Sequence, residues 1–452
     1  MTAETTFDVA VVGGGIAGLV AARALVIDGA SVCVIEASDS FGGALRAAAL
    51  DAVAVDVGAE AFAVTRPEAR RLIEELDLGA RIVEPRRSDA RILLASGLFA
   101  MPHALLGIPT DLGSPEVLAI LGPTSAAAAS ARDARPLDDE LDPQITIGHL
   151  VRSRMGDEVV RRILAPVVGG VHAVDPDLVE ADALVPGLLA AVRGRGSLAG
   201  AAAMLRAASG NPGSAVAGLS GGMTTLVRAL VDDLRGRGVR LMTDSAITTI
   251  EAASPGWQLA ASGVRLRAAS VVLATDAATA SRLLAALPDI GAPLSRVSVG
   301  DVAVVSAVFD SDEADDDPVG SGVLVPSGHP AIRAKAMTHA TAKWSWIREA
   351  YGPGRHLVRL SYGRNGVMGE DIRDLPEIAR RDIERILGID VPALRASLVT
   401  RWPRSLVQQR VGHRRNVAEL RAAVAQRDDL AVIGAGIGGN GLAGTIAQAR
   451  TV

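Results

Sequence analysis

The sequence predicts an α/β protein with α+β insertions. A layer of parallel strands both opens and closes the chain, and a mixed sheet and a helical subdomain are interleaved into it. Three observations predict this. The first 36 residues hold a strand, a glycine-rich turn, a helix, a second strand and an acid. Residues 429–434 (D-L-A-V-I-G) run a second strand into glycines near the other end. Between them, residues 110–210 have an Ala/Leu-rich helical pattern, while 298–310 and 356–362 read as strands of a different sheet.

Taken in order, residues 7–12 (F-D-V-A-V-V) are a short Val-rich run, and Gly13-Gly14-Gly15-Ile16-Ala17-Gly18 follows at once. Residues 19–28 read as a helix ended by Gly29, and 31–35 (S-V-C-V-I) as a strand ending in Glu36. A second glycine turn follows at Gly42-Gly43. Residues 52–57 alternate toward Gly58, and 67–78 have helical spacing behind Pro67. Residues 91–102 read as a hairpin around Ser96-Gly97. The charged, Pro-containing stretch 131–143 reads as an exposed loop, and 205–220 as an Ala/Ser/Gly-rich mobile stretch. Helix signals return at 221–237, strand signals at 240–250, 256–260, 264–268 and 270–274, and a helix at 374–388.

At roughly 150 residues per domain, 452 residues amount to about three domain-equivalents. Hydrophobic residues are 49% and mean hydropathy is +0.30, enough apolar material for a large core. The 46 basic residues (all arginine except Lys335 and Lys343) nearly balance 51 acidic ones. That balance argues against nucleic acid as a partner. Cys33 is the one cysteine, so an intrachain disulfide and a Cys-based metal cluster are excluded. Seven histidines include no H-x-x-x-H pair, so no metal site is expected. No G-x-S-x-G elbow supports a hydrolase. The N-terminus has no basic n-region or cleavage site, and no run of 18 residues is apolar and unbroken. These features predict a cytoplasmic protein without a spanning helix.

The first unit carries chemistry. In Gly13-x-Gly15-x-x-Gly18, the first glycine permits a tight turn, Gly15 lets the backbone approach a pyrophosphate, and Gly18 allows helix–strand packing. Glu36 is placed to accept hydrogen bonds from a ribose. This context predicts a Rossmann-like dinucleotide site. NAD and FAD share the fingerprint; Gly42-Gly43, D-V-G-A-E-A-F (56–62) and A-V-I-G-A-G-I-G-G-N-G-L (431–442) favour FAD. No His or Cys stands near that last segment, so the flavin is expected to be held without a covalent bond.

These residues resemble the FAD-dependent porphyrinogen oxidases of haem synthesis, within the monoamine-oxidase-like flavoproteins. The likeness spans almost the whole chain. It is carried by V-V-G-G-G-I-A-G-L-V-A-A (11–22), V-I-E-A-S (34–38), F-G-G (41–43), D-V-G-A-E-A-F (56–62) and M-P-H-A-L-L-G-I-P-T (101–110). More specific is M-G-D-E-V-V-R-R-I-L-A-P-V-V-G-G-V-H-A-V-D-P (155–176); A-K-W (342–344), R-W (401–402) and V-G-H (411–413) agree in order. Leu406-Val407-Gln408-Gln409 and Gly439-Asn440-Gly441-Leu442-Ala443 depart from the family's usual wording.

The resemblance implies an FAD-binding domain in three segments (1–75, 216–285, 406–452), a substrate-binding domain in two (76–110, 286–405) and a helical subdomain at 111–215. It implies cofactor contacts from Gly13 to Gly18 (Gly14, Gly15, Ile16 and Ala17 between), from Glu36 and Ala37, and from Gly42, Gly43 and Ala44. Further contacts are implied at Gly58, Ala59, Glu60, Ala61, Ile247 and Trp402, and at Gly434, Asn440, Gly441 and Leu442. No protein group is implied as catalytic; flavin N5 carries the hydride step.

The actinobacterial branch implies oxidation of coproporphyrinogen III to coproporphyrin III with O2, forming H2O2. Protoporphyrinogen IX is the alternative substrate. An amine oxidase or desaturase and a non-catalytic flavoprotein-fold binding protein are further readings; the first is disfavoured because no Tyr or Trp follows Trp402 to form an aromatic cage. Arg91 and Arg66 are the arginines expected to hold substrate propionates. The 110–210 region is expected either to touch a membrane surface or to be an ordinary buried subdomain, and the assembly to be a monomer or a homodimer.

Overall fold

The computed structural model describes residues 5–86, 89–137, 141–208, 216–261 and 264–452. Residues 138–140 of the expected loop and 209–215 of the expected mobile stretch lie outside them.

The first sheet is built around strand β1 (Thr5–Val12), helix α1 (Ile16–Ile27) and strand β2 (Val32–Ile35). β1 lies between β2 and the long strand Val264–Leu273, parallel to both; Arg240–Met242 extends the sheet beyond β2, and Leu430–Val432 joins the far side of Val264–Leu273. Val12, Ile35, Leu273, Met242 and Val432 are register partners in series, so the carboxyl ends of five parallel strands line up on one edge. Ligands of open parallel sheets bind outside that edge.

The runs Val9–Val12, Val32–Ile35 and Val271–Leu273 are apolar and buried because both faces of the sheet are covered there. Val9 and Val11 pack with helices α1, Thr224–Gly236 and Leu442–Ala449. Ala10 and Val12 pack on the other side with Ala277–Leu283, Pro288–Ser295 and His413–Val424.

The second sheet has seven strands in the order Ala396–Val407, Val299–Asp310, Arg355–Tyr362, Ala336–His339, Gly322–Leu324, Ala90–Leu94, Gly97–Ala100. The expected hairpin at 91–102 is thus inserted at one edge of a sheet made mostly by the chain's second half. Helix Leu375–Leu387 covers one face, through Phe309, Leu360 and Ile383 among others. Helices from Pro115 to Ala208 form a third core that takes in Ile92, Leu94 and Ile108. Among the described residues, no helix is long and apolar enough to cross a membrane.

Several expectations fail: the strand at 240–250 is two, Arg240–Met242 and Ile247–Ala252, and the stretch 205–220 starts in helix Leu198–Ala208 and ends in strand Val216–Leu219. The separate strands at 264–268 and 270–274 are one strand, because β1 pairs with it across the expected break, from Leu266 to Leu273. The exposed loop at 131–143 begins as helix: Pro123–Asp133 reaches into it, and Asp133 is buried. Its carboxylate accepts Leu198 N at 2.8 Å, Ala199 N at 2.9 Å and Arg154 Nε at 3.2 Å. A charged acceptor here satisfies the first amides of helix Leu198–Ala208, each such bond being worth about 1.5–3 kcal/mol.

Candidate functional site

The two glycine turns meet at the carboxyl edge of the first sheet. Gly13 has φ +108°, and its N–H donates to Ile35 O at 2.8 Å. Side chains at Gly13 or Gly18 would collide with backbone, at Ala274 and Gly13 respectively. Gly15 differs: a Cβ there would meet nothing nearer than Gly43 Cα at 3.8 Å. It is the N-cap of α1, and no side chain caps the amides of the first turn that Ile16 and Ala17 begin. Gly42 N donates to Gly14 O at 2.8 Å and draws the second turn onto the first. The paired glycines thus leave a bare floor beside uncapped helix amides, as a pyrophosphate requires.

Glu36 stands at the end of β2. Its Oε2 accepts Gly14 N at 2.7 Å, and its Oε1 accepts Ser38 N and Oγ at 2.8 and 2.7 Å. The carboxylate is thereby oriented beside exposed Ala37 while keeping lone pairs free. Ser245 N donates to Glu36 O at 2.9 Å, which places the start of strand Ile247–Ala252, with buried Ile247, next to it.

Gly58 to Ala61 form the next cluster. Ala59 N donates to Ala44 O at 2.9 Å, and Trp402 Nε1 to Val57 O at 3.2 Å, so Ala44, Gly58 and Trp402 pack together. Ala61 packs onto a small core with Trp344. Glu60 accepts Lys343 Nζ at 2.7 Å and Arg359 Nη1 at 2.6 Å, and Arg359 also donates to Gly58 O. Burial alone would raise the Glu60 pKa; the two cations outweigh it and hold the carboxyl down at about 2. Nearby, burial pushes Asp56 up to about 6 although it accepts Met223 N at 2.8 Å. Sequence reasoning reached Glu60 but missed Arg359. The A-K-W segment marked Lys343, but nothing local marks an arginine 299 residues from its partner.

At the C-terminal turn, Gly434 has φ +115° and lies near Thr275, which also borders Gly13. Asn440 ties this turn to the end of strand Ala396–Val407: its Oδ1 accepts Val407 N at 2.9 Å and its Nδ2 donates to Val407 O. Gly441 is the N-cap of helix Leu442–Ala449, again without a side-chain cap. Arg66 is exposed and lies beside Gly444 of that helix. Arg91 sits apart from it, half-buried on strand Ala90–Leu94 of the second sheet, and its buried Nε has no partner. Among the described residues, no group of three potential metal ligands occurs.

A family model described as flavin containing amine oxidoreductase matches residues 16–449. The chain is 31% identical over 451 residues to coproporphyrinogen III oxidase of Mycobacterium leprae (strain TN), covering 97% of this chain and 96% of that protein. It is 27% identical to coproporphyrinogen III oxidase of Bacillus subtilis (strain 168), covering 92% and 90%. A crystal structure from Exiguobacterium sp. 255-15 superposes with TM-score 0.85 at 25% identity, covering 100% of this chain and 98% of that one.

Proposed function

This chain belongs to the family of flavin-containing amine oxidoreductases, and we propose that it oxidises coproporphyrinogen III to coproporphyrin III. It is an FAD-dependent oxidoreductase acting on a porphyrinogen in haem biosynthesis; the choice of coproporphyrinogen and of O2 as acceptor is the finer part of the proposal. The observation that carries it is full-length likeness to enzymes of that name, joined to a half-buried, unpaired Arg91 suited to an acidic substrate.

A porphyrinogen has sp³ methylene bridges between pyrroles. Loss of hydride from a bridge leaves a cation shared with pyrrole nitrogen, whose N–H then becomes acidic. FAD, when bound, would supply the two-electron acceptor for that hydride, with O2 proposed as the terminal acceptor. The chain's own part is to bind, orient and exclude water. The bare floor at Gly15 and Gly43 and the uncapped amides of α1 fit a pyrophosphate, and Glu36 fits a ribose diol. Gly58 to Ala61, Trp402 and the turn from Gly434 to Leu442 would hold the flavin end, without a covalent bond. Glu60, locked as a carboxylate between Lys343 and Arg359, donates no proton at neutral pH. Arg91 grips a propionate through two parallel N–H bonds, and Arg66 is the second arginine proposed for this role.

Six hydrogens leave in three two-electron rounds. Aerobic turnover should therefore release three H2O2 for each coproporphyrin III formed, followed by porphyrin fluorescence and a peroxidase-coupled assay. Porphyrin formation no faster than the uncatalysed blank would overturn the proposal.

A further inference from the structure

The second sheet and the helical subdomain meet along helix Ala165–His172. Gly170 permits the approach: a Cβ there would lie 2.7 Å from Leu324 Cδ2 and 3.6 Å from Lys335 O. Lys335 is only 2% exposed, and among the described residues no carboxylate, carbonyl or hydroxyl meets its ammonium. Next to it, His172 Nε2 is buried and also without a partner. Arg364 adds positive charge nearby and gives one N–H from each terminal nitrogen to Val325 O and Ala334 O, at 3.0 and 2.9 Å.

His172 leads directly into Ala173, which packs against Val302 and Val304 beside Trp402. Trp402 reaches Val57 and Gly58. His172 therefore stands one residue from the cluster that joins the helical subdomain to the proposed flavin contacts.

A buried ammonium with no counter-charge is strongly penalised, and removing water from it without replacement is costly. Burial, with Arg364 adding to it, lowers the Lys335 pKa to about 8, so the group still carries charge at neutral pH. An arrangement of this kind is accounted for when a ligand brings the missing anion.

We propose that Lys335, with His172 Nε2 beside it, binds one carboxylate of the substrate and so selects acidic tetrapyrroles; this rests on the porphyrinogen reading above. The carboxylate accepts from the ammonium and from His172 in its Nε2–H tautomer. This contact is separate from the one proposed for Arg91, which lies two strands away from Ala336–His339 in the same sheet.

The test is equilibrium titration of the holoenzyme with coproporphyrin III and, in the same mild detergent, with its tetramethyl ester, read by porphyrin absorbance. Lys335→Met keeps the length and removes the charge. It should weaken coproporphyrin III binding about tenfold, leave ester binding within twofold, and leave flavin content and Tm no lower than in the parent protein. Lys335→Arg should recover part of the loss. Equal affinity of Lys335→Met and parent for coproporphyrin III overturns the inference, and so does an equal loss for acid and ester, which would mark a structural role. A parent protein that binds neither porphyrin overturns the porphyrinogen reading itself and the inference with it.

Discussion

Replacing Glu60 by Gln removes the centre of a buried ion triad. The carboxylate meets Lys343 at 2.7 Å and Arg359 at 2.6 Å, and its pKa falls from an ordinary 4.5 to about 2. At ~1.36 kcal/mol per pKa unit, that drop corresponds to about 3 kcal/mol of preference for the charged, folded form. Gln cannot supply this, and it leaves two cations facing each other, a type of change that costs about 3–5 kcal/mol. Because the folded pKa is depressed, the stabilisation is complete above about pH 4.5 and is lost only as pH falls toward 2. Urea unfolding at pH 7 with saturating FAD should therefore show a lower midpoint for Glu60→Gln. Glu60→Gln/Lys343→Met should recover part of it, since one uncompensated cation is gone. An unchanged midpoint would refute the reasoning.

Gly15→Val should fold normally, because the nearest atom to its Cβ is 3.8 Å away, yet lose FAD affinity at least a hundredfold; flavin absorbance per protein after gel filtration checks this, and full occupancy would contradict it. Arg91→Ala should raise KM about tenfold to a hundredfold, equivalent to ~1.5–3 kcal/mol, with kcat nearly unchanged, since a propionate is held equally before and during hydride loss. Steady-state kinetics at equal flavin content would show otherwise through an unchanged KM.

What was legible in the sequence is what is enforced locally. The run Val9–Val12, the glycines from Gly13 to Gly18 and the acid Glu36 lie within 30 residues, and each is required by a steric or hydrogen-bonding condition that its neighbours set. The return of strand Leu430–Val432 was legible for the same reason.

What was missed depends on distant partners. Asp133 looks like part of a solvated charge run until Leu198 and Arg154 are brought to it by the fold. Asn440 stands in a glycine-rich turn that gives no local sign of its partner, the end of strand Ala396–Val407, where Val407 exchanges two hydrogen bonds with its side chain. Lys335 and His172 carried no spacing signal at all; their interest lies in the partners they lack once helix Ala165–His172 is laid over the sheet.

The central claim is that a porphyrinogen gives its electrons directly to the flavin of this chain. Anaerobic rapid mixing of the yellow holoenzyme with coproporphyrinogen III, and separately with protoporphyrinogen IX, tests it. The account predicts bleaching of the flavin band by both tetrapyrroles, faster with coproporphyrinogen III, and return of the colour when O2 is admitted. A flavin that stays oxidised with both tetrapyrroles would contradict the claim, and faster bleaching by protoporphyrinogen IX would contradict the choice of substrate.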